Sequence, residues 1–139
     1  MEDDTGHWIA LTPRPKNAVG FIYYVYGPTG RMYIGRKQLI SVSRKTVPGR
    51  RNKVVTRKES DWKTYATSCR ELHDDIDLYG LDAFVFVIYK WCVCAGDLTY
   101  SEVQEQWAAE VLSREMTEHG ERKYYNGNIG AVKFLKPIT

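Results

Sequence analysis

Two tyrosines stand ten residues apart in short runs of strand-forming residues. Tyr23 closes the run Gly20-Phe21-Ile22-Tyr23, Tyr33 opens the run Tyr33-Ile34-Gly35, and the turn residues Gly27-Pro28-Thr29-Gly30 lie between them. Aromatic and β-branched residues favour strands, and Pro and Gly favour tight turns. The pattern therefore predicts a hairpin that brings both phenols together on one small sheet. A hydrophobic core does not require tyrosine at both places, so the pair indicates chemistry, and phosphodiester chemistry in particular.

A strongly basic segment follows the second tyrosine. Residues 36–58 contain no acid and hold nine of the 20 basic residues of the chain. The remaining residues hold 11 basic and 17 acidic side chains, so their net charge is −6. This segregation predicts a surface for a polyanion, with a solvated loop as the alternative. The nine basic residues are Arg36, Lys37, Arg44, Lys45, Arg50, Arg51, Lys53, Arg57 and Lys58.

Length and composition predict one globular domain without a membrane span. The chain has 139 residues, of which 43% are hydrophobic and 27% charged, and this length suffices for a core of its own. Pro13 and Pro15 disfavour regular structure, so we expect residues 1–17 to be irregular and residues 18–139 to form the domain. No apolar run approaches the roughly 18 residues of a membrane helix. The acidic start at residues 1–4 lacks the features of a signal peptide.

The pattern of the remaining chain predicts an α/β (α+β) fold. We expect a small, three-stranded, mainly antiparallel sheet flanked by helices, with residues 36–58 as a basic arm or hairpin. The predicted strands are 21–26, 31–37 and 84–91, with a short one at 131–135, and the predicted helices are 70–79 and about 100–116. Apolar residues at helical spacing indicate a buried stripe on the second helix. They are Tyr100, Val103, Trp107, Val111 and Leu112.

The two tyrosine motifs resemble the signature of the GIY-YIG nuclease family, with Phe21 as an extra residue in the first motif. The resemblance extends over most of the chain. Within the family, the chain is most similar to the free-standing endonucleases that bacteriophages encode. That similarity rests on residues 59–65, on residues 124–128 and on the spacing Tyr100-x-Glu102-x-x-x-Gln106-Trp107.

The resemblance implies a role for each of several residues. Tyr23 would help to deprotonate the attacking water, and Tyr33 would hydrogen-bond near it. A free tyrosine has a pKa of about 10, so we expect Lys37 and the nearby arginines to lower that pKa. The family places an arginine on the helix after the second motif, about eight residues past its glycine. Arg44 is our choice for this phosphate clamp, and Arg36 is the alternative.

The resemblance also implies a metal-binding glutamate on the second helix and a closing asparagine. Glu102 is our choice for the metal ligand and Glu105 the alternative, because residues 99–102 also fit a capping box at a helix start. Mg²⁺ or Mn²⁺ suits one carboxylate together with a substrate phosphate. Asn126 would orient the site or contact phosphate, although Asn-Gly is also a common turn.

The function that these expectations imply is metal-dependent hydrolysis of double-stranded DNA by a phage-encoded endonuclease in the cytoplasm of a bacterial host. The basic arm would bind the DNA backbone through Arg36, Lys45, Arg50, Arg51, Lys53, Arg57 and Lys58. A non-catalytic nucleic-acid-binding module on the same scaffold is the alternative. The sequence leaves the oligomeric state open, a homodimer included.

Overall fold

The structure, a computed structural model, describes residues 5–133. Its elements, in chain order, are β1 (Trp8–Ala10), β2 (Gly20–Tyr26), β3 (Met32–Gln38), β4 (Ile40–Lys45), β5 (Val54–Glu59), α1 (Arg70–Tyr79), β6 (Val85–Cys92), α2 (Ala95–Ala108), β7 (Asn128–Ile129) and β8 (Val132–Lys133). The mixed α+β class agrees with the sequence prediction. Among these elements no helix has the length and apolarity that crossing a membrane requires.

The main sheet has four strands in the order β1-β6-β2-β3. β2 pairs antiparallel with both β3 and β6, whereas β1 runs parallel to β6. The prediction of three strands is wrong, because the fourth strand lies in the segment 1–17 that was expected to be irregular. With three residues, β1 is too short for a recognisable pattern. Its position depends on pairing with β6 and on Trp8, which is buried and donates Nε1–H to the Trp62 carbonyl at 2.7 Å.

The sheet is covered on both faces, and the alternation of β2 divides its side chains between two cores. Phe21, Tyr23 and Val25 belong to the larger core, which also contains Trp62 and the buried face of α1. Ile22 packs on the opposite face in a second cluster, with Ile34, Leu98, Val111 and Tyr124. Burial on both sides explains why β2 has no exposed polar alternation.

Helix α1 matches its prediction, whereas α2 differs from its prediction in both bounds and orientation. α2 begins five residues earlier and ends eight residues earlier than expected. The part of the predicted stripe that lies within α2 faces outward, since Tyr100 and Trp107 are 66% and 70% exposed. Val111 of that stripe is buried, but it lies beyond the end of the helix. The buried face instead carries Leu98, Ser101, Glu102 and Gln106. The reason lies in what this face covers, since the surface beneath it offers polar partners as well as apolar ones. Gln106 donates to the Ile34 carbonyl of β3, Ser101 accepts from Lys90 Nζ, and Glu102 pairs with Arg36.

Most of the basic segment lies in the two-stranded hairpin β4–β5, in agreement with the prediction of an arm or hairpin, whereas Arg36 and Lys37 lie at the end of β3. The strands of the hairpin pair from Ile40 opposite Glu59 to Lys45 opposite Val54. At the base, the Ser60 backbone N–H donates to the carbonyl of the buried Leu39 at 2.8 Å. The strand predicted at 131–135 appears as β8. The last two positions of the predicted range, 134 and 135, lie outside the described residues.

Candidate active site

The outer edge of β3 is closed by the chain segment that ends in Asn126. Met32 N–H donates to the Lys123 carbonyl at 2.7 Å, and Tyr125 N–H donates to the Met32 carbonyl at 2.8 Å. The buried Asn126 side chain continues this pairing at Ile34, because its Oδ1 accepts from Ile34 N–H at 3.1 Å and its Nδ2 donates to the Ile34 carbonyl at 2.7 Å. The Asn126 side chain thus takes the place of a neighbouring strand, and both its amide oxygen and its amide nitrogen bond the backbone of β3.

Gln106 holds the same peptide group from the helix side. Its Nε2 donates to the Ile34 carbonyl at 2.9 Å, and its Oε1 accepts from Gly130 N–H at 2.8 Å. The two amides fix the backbone between Tyr33 and Gly35. Gln106 was not among the predicted site residues. The sequence signal that could have identified it is its position four residues after Glu102, on the same helical face.

The tyrosine pair meets over Gly35, as the predicted hairpin requires. Tyr23 lies directly opposite Gly35 in the register, and the rings of Tyr23 and Tyr33 have centroids 5.9 Å apart. A Cβ on Gly35 would lie 2.7 Å from both Cζ and Oη of Tyr23 and 2.8 Å from Cε1 of Tyr33. The absence of a side chain at Gly35 therefore leaves the space that both phenols occupy.

The environment of the tyrosines does not lower their pKa values, and the expectation that cations would do so is wrong. Burial raises the pKa of Tyr23 well above its ordinary value, and the phenols of Tyr33 and Tyr65 raise it further. Burial also raises the pKa of Tyr33, with a smaller contribution from Cys69. A phenolate is poorly solvated in this position. Both hydroxyls therefore remain protonated near neutral pH and can donate as well as accept hydrogen bonds.

Four of the predicted site residues line one cleft of about 1120 Å³ together with the alternative clamp Arg36. The four are Tyr23, Tyr33, Glu102 and Asn126. The sheet supplies the tyrosines and Arg36, α2 supplies the carboxylate, and the segment after α2 supplies the amide. Residues up to 103 positions apart in the chain therefore reach one site.

Glu102 and Glu105 have different surroundings. Glu102 is buried at the cleft wall, 3.5 Å from Arg36 Nε through its Oε1. Burial raises the pKa of Glu102, and the Arg36 guanidinium opposes that rise. The capping alternative does not apply, since α2 begins seven residues before Glu102 with Cys94 as its N-cap. Glu105 lies outside the cleft lining and accepts a hydrogen bond from the Tyr24 hydroxyl at 2.8 Å.

Lys37 and Arg44, both predicted as catalytic, lie away from the cleft. Lys37 Nζ is 2.8 Å from Asp61 Oδ1 and 3.9 Å from the centre of the Tyr65 ring, and it borders a separate, smaller cavity. Arg44 is exposed on strand β4, not on a helix. The spacing prediction for Arg44 fails because the hairpin β4–β5 is placed between the second motif and the first helix.

Arg70, like Arg31, Arg36 and Arg122, lines the cleft, and the spacing argument did not consider it. It is the first residue of α1, the helix that follows the second motif once the hairpin is passed, and it lines the cleft. Its guanidinium is 92% exposed and contacts Asp74 at 3.4 Å on the same helix. Such an exposed pair contributes little energy, so the guanidinium can turn toward an anion in the cleft. The predicted helix start at residue 70 was the available signal.

Arg31 joins the walls of the cleft behind these groups. Its side chain is 4% exposed, and Nη2 lies 2.8 Å from Glu71 Oε1 on α1. Nη1 lies 3.3 Å from Glu121 Oε2, and the guanidinium stacks 3.9 Å over the Tyr125 ring. These contacts of the buried guanidinium with more exposed carboxylates tie the β2–β3 turn to α1 and to the segment that carries Asn126.

The residues present fit a hard divalent cation held by few protein ligands. Within residues 5–133, no group of three or more His, Cys, Asp or Glu side chains is arranged for a metal ion. Glu102 is the carboxylate on the α2 wall of the cleft, with Arg36 as its ion-pair partner. Mg²⁺ keeps several waters and accepts one or two carboxylates plus phosphate oxygens, so this donor set suits it.

The arrangement defines the nucleases of GIY-YIG type as the class to consider, because a small sheet carries paired tyrosines on an edge hairpin and a helix carboxylate lies across a cleft from them. The chain belongs to this family: the family described as "Putative endonuclease segE, GIY-YIG domain" matches residues 8–129. The resemblance stated from the sequence is thereby confirmed. The match begins at the first residue of β1. Searches of curated proteins and of solved structures gave no significant match.

Proposed function

We propose that this chain is a metal-dependent endonuclease that hydrolyses phosphodiester bonds of double-stranded DNA. The observation that carries the proposal is the meeting of Tyr23, Tyr33, Arg36 and Glu102 in one cleft. Hydrolysis of a phosphodiester needs an oriented water, cationic groups near the developing charge and stabilisation of the leaving oxygen. Each of these needs has a candidate residue in the cleft.

Glu102 is proposed as the metal ligand. Nucleases of this family generally use divalent metal ions, and bound Mg²⁺ or Mn²⁺ would stabilise the charge that develops on the phosphate. Arg36 favours the ionised form of the carboxylate, because its guanidinium opposes the rise in the Glu102 pKa that burial causes. It also places a positive charge at the cleft wall before substrate enters.

The tyrosines are proposed to act as neutral hydroxyls. Their raised pKa values disfavour a tyrosinate base in the free protein. A protonated phenol can still accept a hydrogen bond from a water and donate one to a phosphate oxygen. Tyr23 and Tyr33 would in this way orient the attacking water against the phosphorus, and Asn126 and Gln106 would keep the strand that carries Tyr33 in place.

The cleft arginines are proposed to hold the scissile phosphate. A guanidinium presents a planar fork that suits two phosphate oxygens. Arg70 replaces Arg44 as the proposed clamp, because it lines the cleft from the start of α1. Arg36 contributes from β3.

Double-stranded DNA is the proposed substrate because the hairpin β4–β5 and its tip concentrate exposed cations. Its exposed cations are Arg44, Lys45, Arg50, Arg51, Lys53, Arg57 and Lys58. Phosphate contacts of this kind supply affinity that does not depend on sequence. The phage-type motifs support a phage origin and action in the cytoplasm of a bacterial host.

Incubation of the purified chain with supercoiled plasmid tests the proposal. We expect nicked or linear product with Mg²⁺ or Mn²⁺ and none with EDTA, whereas DNA binding should survive EDTA because Lys and Arg contacts need no metal. Full cleavage in EDTA would contradict the role of the metal. Binding without cleavage in every divalent ion would instead support the non-catalytic binding module.

A further inference from the structure

The hairpin β4–β5 extends from the domain with both of its faces uncovered. Residues 42–46, 48–53 and 55–59 are all exposed. The exposed residues include Val42 and Val55, at 49% and 44% exposure. Valine favours strands, but two exposed valines on one face of the hairpin also leave apolar surface beside the arginines uncovered. The two valines therefore indicate that one face of the hairpin has a more specific contact.

The strand register gives the two faces different chemistry. Residues directly opposite in an antiparallel pair share a face, and Val42 pairs with Arg57 while Arg44 pairs with Val55. By the same register, Ile40 and Glu59 lie on this face at the base of the hairpin. We call the four residues beyond them the valine–arginine face. The other face is polar and carries the lysines. It consists of Ser41, Ser43, Lys45, Val54, Thr56 and Lys58.

On the valine–arginine face, the two arginines alternate with the two valines in a checkerboard. Arg44 and Arg57 lie on different strands in adjacent rows, so their side chains start about 7–8 Å apart. Successive rows are separated by two residues, or about 6.8 Å of strand. This distance is about two steps of a DNA strand, whose phosphates are spaced by about 3.4 Å along the axis.

We propose that this hairpin inserts into the major groove of DNA with its valine–arginine face toward the bases. The inference rests on the proposed function in that duplex DNA is the substrate. Arg44 and Arg57 would each bond O6 and N7 of a guanine, and Val42 and Val55 would contact thymine methyl groups. The hairpin therefore gives the nuclease a short sequence preference that contains guanine and thymine.

The dimensions of the hairpin favour the major groove over the minor groove. Two paired strands lie about 4.8 Å apart. With side chains they fit a groove about 12 Å wide but not one about 6 Å wide. The lysines of the opposite face, Lys45 and Lys58, and the tip residues Arg50, Arg51 and Lys53 would then contact the phosphates on the groove walls. Those contacts supply affinity without sequence information.

Selection from a random duplex library in EDTA tests this assignment, because binding is then measured without cleavage. The decisive comparison is R44Q/R57Q against K45Q/K58Q, since both variants lose two positive charges from the same two strands. We expect the wild-type chain to enrich a guanine- and thymine-containing sequence. K45Q/K58Q should bind all duplexes more weakly but enrich the same sequence. R44Q/R57Q should lose the preference, with the affinity ratio of selected to random duplex falling about tenfold or more per arginine.

A chemical probe of the groove completes the test. Replacing the selected guanines by 7-deazaguanine removes the N7 acceptor from the major groove only, and it should weaken the wild-type chain but leave R44Q/R57Q unchanged. Circular dichroism of each variant verifies folding. An unaltered selected sequence with R44Q/R57Q, loss of preference with K45Q/K58Q, or a wild-type chain without any preference would each overturn the assignment.

The plasmid assay keeps this inference separate from the proposed function. A chain that cleaves plasmid in Mg²⁺ but shows no base preference retains the nuclease function and loses the major-groove assignment. A chain that fails to cleave but shows the expected preference and 7-deazaguanine effect loses the nuclease function and retains the assignment.

Discussion

Replacement of Gly35 by alanine should lower both the stability of the fold and the rate of the chemistry at the site. The added Cβ would lie 2.7 Å from Cζ and Oη of Tyr23, about 0.7 Å closer than the 3.4 Å at which ordinary van der Waals contact begins. Tyr23 is 1% exposed and its ring is packed within the larger core. Either the phenol or strand β3 must therefore move.

Two measurable losses follow from that displacement. Overpacking of a filled core costs about 1–3 kcal/mol, which a urea denaturation curve of Gly35→Ala should show as a lower midpoint with an unchanged slope. Misplacement of a positioning group by about 1 Å can cost about 10²-fold in rate. We expect single-turnover cleavage of plasmid DNA to fall by that order at a temperature where the variant is fully folded.

Gly96→Ala is the matched control. It lies in the first turn of α2, and a Cβ at Gly96 would meet no atom within 4 Å. Alanine in a helix is favoured over glycine by about 0.5–1 kcal/mol, so this variant should be as stable as the wild-type chain or more so, with normal cleavage. If Gly35→Ala unfolds at the wild-type midpoint and cleaves within twofold of the wild-type rate, the geometric argument for the tyrosine pair is refuted.

Three further substitutions address individual roles. Glu102→Gln should lower the rate of metal-dependent cleavage by several orders of magnitude, since metal charge stabilisation amounts to several kcal/mol. Glu105→Gln should keep most of the activity, and the reverse result would move the metal ligand to Glu105. Tyr23→Phe should lower the single-turnover rate by about 10²-fold with unchanged DNA affinity in EDTA, and a rate within twofold of wild type would remove Tyr23 from the mechanism. Arg36→Gln removes the cation that opposes the burial-induced rise in the Glu102 pKa, so a higher pH is needed to ionise the carboxylate. The acid limb of the pH–rate profile should therefore move to higher pH. An acid limb that stays in place or moves to lower pH would contradict the pairing of Arg36 with Glu102.

The local patterns of the sequence predicted the hairpin of the two tyrosines, the first helix and the basic hairpin. These elements depend on short-range signals: strand-forming residues around a Gly-Pro turn, a helix that ends at Gly80, and a charge run with Val-Pro-Gly at its centre. The family was recognisable for the same reason, because both tyrosine motifs lie within one hairpin.

The orientation of α2 could not be predicted in this way. Its apolar residues at helical spacing predicted a buried stripe, yet Tyr100 and Trp107 are exposed, and Glu102 and Gln106 are buried. The periodicity rule assumes that a helix covers an apolar surface. Here the helix covers a strand edge and a cleft, where Ile34 needs hydrogen-bond partners, and only the tertiary structure shows what lies beneath the helix.

The sequence by itself determined which chemical groups are available, namely two phenols on one hairpin, a glutamate on a helix and a block of cations without acids. The tertiary structure decided which of these groups meet. It placed Arg70 in the cleft and Arg44 on the hairpin, because distance along the chain does not measure distance in space once a hairpin is inserted. It also decided the direction of the tyrosine pKa shifts, since burial, not the nearby cations, is the larger influence on Tyr23.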